Sequence, residues 1–142
     1  MTLRVKLLRP GAKFDAPRKP GDVGYDLSAC IDGDVLIQAG ETKVIGTGVA
    51  IRLPPGHEGQ VRPRSGLARD GIVAELGTID GDYVGEIGVI LHNRSGSAYV
   101  VEHGHRIAQL VIAPVALPAV HFVGELGATV RGESGFGSSG VA

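Results

Sequence analysis

Apolar and polar side chains alternate near the start of the chain, where Leu3, Val5 and Leu7 are separated by charged residues. A period of two is typical of a strand that buries one face. Similar short apolar runs follow at residues 35–37, 43–45, 49–53, 59–61, 86–92, 98–101, 106–113 and 120–123. The pattern therefore predicts many short strands, the first of them half-buried.

Turn-forming residues separate these runs, as at Asp32-Gly33, residues 54–56 and His103-Gly104. Glycine makes up 23 of the 142 residues, which is more than twice its usual share of about 7%. Helical periodicity is confined to a turn or two that begins at Ser65, a good N-cap residue. Many short strands, tight turns and one short helix predict an all-β fold, either a sandwich or a barrel.

The charges nearly balance, with 14 Lys and Arg against 15 Asp and Glu and a formal net charge of −1. Duplex nucleic acid is therefore not expected as the main partner, since such binding draws on a basic surface. The single cysteine, Cys30, excludes an internal disulfide, and we expect it to be a small core residue in a reducing cytoplasm. No apolar run approaches the ~18 residues of a membrane helix, so a cytoplasmic protein without a membrane partner is expected.

Two segments offer main-chain N–H groups to an anion. In segment 63–68, Arg64, Ser65 and Gly66 meet at the predicted helix start, where unpaired N–H groups and the helix dipole favour a phosphate. An ordinary helix cap beside a surface arginine is the alternative. Segment 131–140 is rich in glycine and serine, and its Arg131 and Phe136 suggest an arm that folds over a ligand.

Polar side chains in two further segments are candidates for catalysis. Asp80 and Asp82 lie in a glycine-rich hairpin, where they are compatible with water activation, metal binding or simple Asx turns. Gln109 lies in an apolar strand, on the face opposite Arg106 by alternation, and an unsatisfied buried amide there would cost ~1–3 kcal/mol. Gln109 is therefore the residue of that strand most expected to have a functional partner.

Together, these segments resemble the five motifs of the homotrimeric dUTPase family, the deoxyuridine 5′-triphosphate nucleotidohydrolases. The motifs occur in the family's order and span most of the chain: GYDLSA at 24–29, PRSGLA at 63–68, GTIDGDYVGEI at 77–87, GHRIAQL at 104–110 and RGESGFGSSG at 131–140. The resemblance implies a β-clip fold, a distorted antiparallel β-sandwich or jelly-roll-like barrel with one short helix. It also implies hydrolysis of dUTP to dUMP and pyrophosphate, which keeps uracil out of DNA and supplies dUMP for thymidylate synthesis.

The same resemblance assigns the residues around the phosphates and the metal. Asp26 would hold Mg²⁺, the implied cofactor, through the water shell of the ion. Arg64, Ser65 and Gly66 would contact the α and β phosphates, with Ser65 among the catalytic residues. Gln109 would hydrogen-bond the phosphate chain near the reacting α-phosphorus.

The third motif is implied to carry both chemistry and specificity. Asp80 would orient and deprotonate the water that attacks the α-phosphorus in line, with pyrophosphate leaving. The Tyr83 ring would pack under the deoxyribose, where a 2′-hydroxyl would clash. Main-chain groups of the hairpin would read the uracil edge, including those of Gly77, Thr78, Ile79 and Asp80.

The family is a homotrimer with active sites shared between chains, so the resemblance also implies how this chain is organised. Residues 1–130 would form one β domain, and residues 131–142 an arm that closes over a neighbouring subunit's site. Phe136 would stack on the base of dUTP. The arm would meet the phosphates through Arg131, Gly137, Ser138 and Ser139.

The chain departs from the family pattern at three positions. Ala74 stands where many members have an asparagine that helps to bind uracil, so main-chain groups alone are expected to recognise the base. His105 stands where an acidic residue is usual, which puts a salt bridge or turn contact in question, and Ser139 replaces a common threonine. The alternative functions are a dCTP deaminase, which is expected to have Trp in place of Tyr83, and a nucleotide-binding regulator on the same fold.

Overall fold

The computed structural model describes residues 1–17, 19–137 and 139–140. These residues form ten strands and one short helix, whose bounds in chain order are β1 (Arg4–Leu7), β2 (Tyr25–Ser28), β3 (Val35–Ile37), β4 (Thr42–Arg52), β5 (His57–Arg62), α1 (Ser65–Arg69), β6 (Ile72–Ala74), β7 (Gly77–Ile79), β8 (Glu86–Asn93), β9 (Tyr99–Val101) and β10 (Arg106–Pro114). The predicted runs 43–45 and 49–53 belong to one strand, β4. Strands β2, β6 and β7 fall outside the predicted runs.

The strands form two four-stranded sheets and one two-stranded sheet. The first sheet has the order β1-β4-β8-β6, the second has the order β2-β10-β5-β7, and β3 pairs with β9. The ladders between described strands are antiparallel. This architecture confirms the predicted all-β antiparallel fold with one short helix.

Both large sheets contribute to the hydrophobic core. Leu27 and Leu110 come from the second sheet and Ile45 and Val89 from the first, and each is at most 1% exposed. Strand β8 shows why, because its residues alternate between the interior and the surface along its length. Cys30 is also buried, as expected of a small core residue.

Helix α1 begins at Ser65, where the sequence predicts its start, but its N-cap is one residue earlier than predicted. The first helical bond runs from the Ala68 N–H to the Arg64 carbonyl, so Arg64 is the N-cap and Ser65 is the first helical residue. The prediction of Ser65 as N-cap is therefore wrong. Among the described residues, no helix has both the length and the apolar character to cross a membrane.

Two predicted elements differ from the structure because one chain offers nothing to cover them. All four residues of β1 are exposed, including Val5 and Leu7, so the strand is not half-buried as predicted. Residues 120–123 do not form a strand. Val120 and Phe122 are 74% and 98% exposed, and an isolated strand has no ladder partner to stabilise it.

We expect Asn93→Ala to lower the free energy of unfolding by about 2–4 kcal/mol, since it orphans several buried polar groups. The Asn93 side chain is fully buried, and its Nδ2 donates to the carbonyls of Ile37 at 2.9 Å and Ser97 at 2.8 Å. Thermal and urea unfolding at one protein concentration measure the change. The exposed Gln38→Ala is the matched control, and equal unfolding midpoints for the two variants would contradict the prediction.

Candidate active site

A cavity of about 650 Å³ opens where β2, β10, the start of α1 and the loop before β2 meet. Five of the residues singled out in the sequence line it together: Asp26, Arg64, Ser65, Gly66 and Gln109. Eight further described residues line it, none of them assigned to a site from the sequence; Lys19, Gly24 and Arg106 are among them. The first, second and fourth motifs therefore converge on one cavity.

The pairing of β2 with β10 places the two central polar side chains side by side. Gln109 lies directly opposite Asp26 in the antiparallel ladder, and residues opposite each other point to the same face. On its other edge β10 pairs with β5, where Gln109 lies opposite Arg62. The end of β5 leads through Pro63 to Arg64, which brings the second motif to the same edge of the cavity.

Asp26 is held between two arginines. Arg64 Nε donates to Asp26 Oδ1 at 3.0 Å, and Arg106 Nη1 lies 3.3 Å from Asp26 Oδ2. The Asp26 side chain is 22% exposed, while those of Arg64 and Arg106 are 30% and 39% exposed. Both guanidinium groups therefore retain N–H donors for an anion in the cavity.

A β-bulge explains why Arg106 was missed as a site residue. Simple alternation puts Arg106 and Gln109 on opposite faces of β10, but the register with β2 shifts between Arg106 and Ala108. An extra residue in a ladder reverses the side-chain alternation beyond it. The predicted opposition is therefore wrong, and both side chains line the cavity.

The Gln109 carboxamide is fixed by a hydrogen bond and by a close approach. Its Nε2 donates to the Pro63 carbonyl at 3.0 Å, which leaves the second N–H for a ligand. Gly24 lies so close that a Cβ there would overlap the Gln109 Oε1 atom. Gly24, the first residue of the first motif, is thus required by the orientation of the Gln109 side chain in the fourth motif.

The start of α1 presents unpaired main-chain donors to the cavity. The first intrahelical bond begins at the Ala68 N–H, and no side chain caps the helix start among the described residues. The N–H groups of the first turn therefore have no helical partner. Ser65 and Gly66 line the cavity, so an anion placed there can accept their hydrogen bonds.

The third-motif hairpin lies away from this cavity, which we call the arginine cavity because Arg64 and Arg106 line it. No residue of segment 77–85 lines the arginine cavity among the described residues, whereas Val84 lines a second cavity with β1 and β4. Ile79 pairs with Gly59 of β5. The register of β5 with β10 then places Asp80 two strands away from β10 and four residue positions along the strand direction from Gln109. Strand spacings make that separation roughly 16 Å between Cα atoms.

Within the hairpin, Asp80 and Tyr83 form the turn. The Tyr83 N–H donates to the Asp80 carbonyl at 3.1 Å, and the Tyr83 hydroxyl donates to the Glu86 carbonyl at 2.8 Å. Asp80 is exposed, and Tyr83 is 47% exposed. Gly77, Thr78 and Ile79 form the edge strand β7. One chain thus brings the hairpin residues together with each other but not with the arginine cavity.

The described residues of the fifth motif do not line the cavity either. Phe136 is fully exposed and has a positive φ of 48°, and Arg131 Nε donates to the Ser134 carbonyl at 2.8 Å. Gly137 is exposed. Ser138 lies outside the described residues. The described part of the arm, residues 131–137 and 139–140, therefore lies away from the cavity in the single chain.

The positions that depart from the family pattern have clear local roles. Ala74 is buried in β6, opposite Leu91, where no side-chain amide is available to a base. His105 keeps a turn contact despite replacing an acidic residue, because its Nε2 lies 3.1 Å from Glu102 Oε2 and its Nδ1 accepts the Glu102 N–H. The turn that leads into β10 is therefore intact.

Among the described residues, no group of three or more His, Cys, Asp or Glu side chains is arranged to hold a metal ion. Asp22 and Asp26 both line the cavity, and Asp26 lies opposite Gln109. A single carboxylate in that position suits an ion bound mainly through ligand oxygens and water. That is the manner in which Mg²⁺ binds to polyphosphates. The donor set fits Mg²⁺ only when a phosphate chain is also present.

These features define the class of protein. An all-β fold carries a cavity with two arginines, a lysine, free helix amides and a carboxamide, and these groups recognise phosphates. The cavity is suited to a polyphosphate with its counter-ion.

Comparison with known proteins identifies the family. The dUTPase family model matches residues 12–140. A deoxyuridine 5′-triphosphate nucleotidohydrolase of Syntrophotalea carbinolica is 48% identical over 99% of this chain and 97% of its own length. The chain belongs to the dUTPase family.

Solved structures agree with this assignment. A point mutant of the Staphylococcus bacteriophage 80alpha dUTPase with dUpNHpp has a TM-score of 0.91 at 33% identity, covering 99% of both chains. The dUTPase of phage phi11 of S. aureus, whose structure describes the coordination of a structural Mg(II) ion, has a TM-score of 0.81 at 29% identity, covering 89% of this chain and 99% of that chain. The fold resemblance thus extends over nearly the whole chain.

We expect Gly24→Ala to weaken the binding of a non-hydrolysable nucleoside triphosphate by about tenfold, because the new Cβ displaces the Gln109 carboxamide. Isothermal titration calorimetry measures the affinity. Gly33→Ala is the matched control, since a Cβ at Gly33 meets nothing within 4 Å and its φ is not positive. Equal affinities of the two variants would contradict the assigned close approach.

Proposed function

We propose that this protein hydrolyses dUTP to dUMP and pyrophosphate by in-line attack of water on the α-phosphorus. The observation that carries the proposal is the cavity that gathers Asp26, Arg64, Ser65, Gly66 and Gln109 in a chain of the dUTPase family. The product would supply thymidylate synthesis, and removal of dUTP would keep uracil out of DNA. The free, buried Cys30 suits the cytoplasmic location that we propose.

The phosphates occupy the arginine cavity in this proposal. Arg64 and the free amides at Ser65 and Gly66 contact the α and β phosphates, and Gln109 donates its second N–H near the α-phosphorus. The negative charge of Asp26 offsets the repulsion between the two neighbouring guanidinium groups. The cavity is therefore preorganised for negative charge that forms as pyrophosphate leaves.

Mg²⁺ is the cofactor that we propose, held by the substrate phosphates and, through water, by Asp26. When bound, the ion would neutralise charge on the phosphate chain. Each Asp26 oxygen accepts one arginine N–H, and a carboxylate oxygen can accept a further bond from a water. The arginine contacts therefore fix the Asp26 carboxylate in place and leave its oxygens able to accept further hydrogen bonds.

Asp80 is the proposed general base. It orients and deprotonates the attacking water, and its exposure in the single chain leaves the carboxylate free to do so. The hairpin also recognises the nucleoside. Main-chain groups of Gly77, Thr78 and Ile79 read the uracil edge, and the Tyr83 ring excludes the 2′-hydroxyl of a ribonucleotide.

A homotrimer with shared sites reconciles the separated parts. Residues 116–130 make no described main-chain bond to the body of the chain. Within them Leu117, Phe122 and Leu126 are 86–98% exposed, and such apolar exposure marks an interaction surface. In the proposed trimer, neighbouring copies cover this segment, and the hairpin of one copy completes the arginine cavity of another.

The arm is the last part of the proposed site. We propose that residues 1–130 form one β domain and that residues 131–142 form an arm that closes over the site of a neighbouring subunit. Phe136 stacks on the base, and Arg131, Gly137 and Ser138 meet the phosphates. Closure excludes water from the charged contacts and thereby strengthens them.

The function is tested by pyrophosphate release with Mg²⁺ from dUTP, dCTP, dTTP and UTP, with the products identified. We expect release from dUTP alone, giving dUMP, and a large fall in rate with excess EDTA that added Mg²⁺ restores. Ammonia and dUTP from dCTP would establish a deaminase instead. Tight dUTP binding without products would establish a nucleotide-binding regulator.

Subunit mixing tests the shared site. Asp80→Asn should retain nucleotide binding and lose about 10²–10⁴-fold in turnover, as expected for the loss of a general base. A chain without residues 131–142 should fold and show little activity. After subunit exchange the two inactive proteins should recover activity, because the intact hairpin and the intact arm come from different chains. No recovery in verified mixed trimers would contradict the arrangement.

A further inference from the structure

An ion pair outside the cavity ties the base of the hairpin to the body of the fold. Arg9, which follows β1, lies 2.7 Å from Glu86 at the start of β8, and the two side chains are 37% and 34% exposed. Arg9 also donates to the Cys30 carbonyl at 2.7 Å. The Arg9 guanidinium holds the pKa of Glu86 below its usual value, so the carboxylate is ionised at neutral pH. The proposed chemistry uses neither side chain.

The β-ladder is interrupted at the point where Glu86 lies. Residues 46–50 of β4 face only residues 86–88 of β8, so side chains replace missing ladder bonds. The Thr47 hydroxyl donates to the Ile87 carbonyl at 2.6 Å, and the Gly48 N–H donates to the Glu86 carboxylate at 2.8 Å. The position of Glu86 therefore depends on its own carboxylate and on Arg9.

The Tyr83 ring is fixed to Glu86 in turn. The Tyr83 hydroxyl donates to the Glu86 carbonyl at 2.8 Å. A Cβ at Gly85 would lie 2.6 Å from that hydroxyl oxygen, so only glycine lets the ring fold back against the chain. A continuous set of contacts thus runs from Arg9 through Glu86 to Tyr83.

We propose that Arg9 and Glu86 are positioning residues that fix the Tyr83 ring and thereby set discrimination between deoxyribose and ribose. This inference rests on the role of Tyr83 in the proposed function. A small displacement of a side chain changes the reaction rate strongly only for a substrate whose reaction depends on the position of that side chain. For dUTP the Tyr83 ring only packs against the deoxyribose, whereas it excludes UTP by a steric clash with the 2′-hydroxyl. A ring that can move aside therefore raises the activity on UTP relative to that on dUTP.

The test compares Arg9→Met with Lys43→Met. Lys43 belongs to another ion pair of similar exposure, 3.4 Å from Glu41, and lies outside the proposed site. We expect the dUTP/UTP ratio of kcat/KM to fall on the order of tenfold in Arg9→Met, to recover in part in Arg9→Lys, and to stay unchanged in Lys43→Met. An unchanged ratio in Arg9→Met, or an equal loss for both substrates, would overturn the inference.

Hydrogen exchange gives a readout that does not depend on turnover. Amides of residues 80–86 should exchange faster in Arg9→Met than in Lys43→Met, and unchanged protection would overturn the inference even if no substrate were hydrolysed. Glu86→Gln, which keeps the side-chain shape, replaces Arg9→Met if the latter fails to fold. If Tyr83→Ala leaves the dUTP/UTP ratio unchanged while Arg9→Met loosens the hairpin, the role of Tyr83 fails and the positioning by Arg9 stands.

Discussion

The pairing of β2 with β10 is the contact on which the cavity depends. It places Asp26 opposite Gln109, and the bulge at the start of β10 brings Arg106 to the same side. Asp26 then holds both Arg64 and Arg106 close together, which two guanidinium groups alone would resist. A shift of this ladder by one residue would turn Gln109 into the core and remove the carboxylate from between the arginines.

A second constraint comes from what one chain leaves unfinished. The hairpin lies roughly 16 Å along and across the sheet from Gln109, by strand spacings, and the segment after β10 exposes a row of large apolar side chains. Such a row of exposed apolar side chains is unusual in a stable monomer. The proposed homotrimer would account for both features, because the contact that buries the apolar segment would also bring the proposed general base and the sugar-contacting ring of a neighbouring copy to the cavity.

The sequence predicted the strands with clear alternation and the residues grouped by the first, second and fourth motifs. Alternation failed for Arg106 because a bulge is set by long-range register, which no local pattern records. It failed for β1 and residues 120–123 because the faces that these elements would bury are not covered within one chain. The Arg9–Glu86 pair joins residues 77 positions apart, and neither belongs to a repeating pattern, so only the fold reveals it.

The hairpin and the arm differ in how firmly they are held, and the difference suits their proposed tasks. Tyr83 is linked through Glu86 to Arg9, and through Arg9 to the Cys30 carbonyl near the end of the first motif. A ring that rejects a hydroxyl by contact must not yield, because rejection weakens as soon as the ring can move aside. The hydrogen bonds of the described arm residues are local, which suits the proposed order in which substrate enters before Phe136 closes over the base. In the proposed function, specificity therefore belongs to the fixed hairpin, and exclusion of water belongs to the arm.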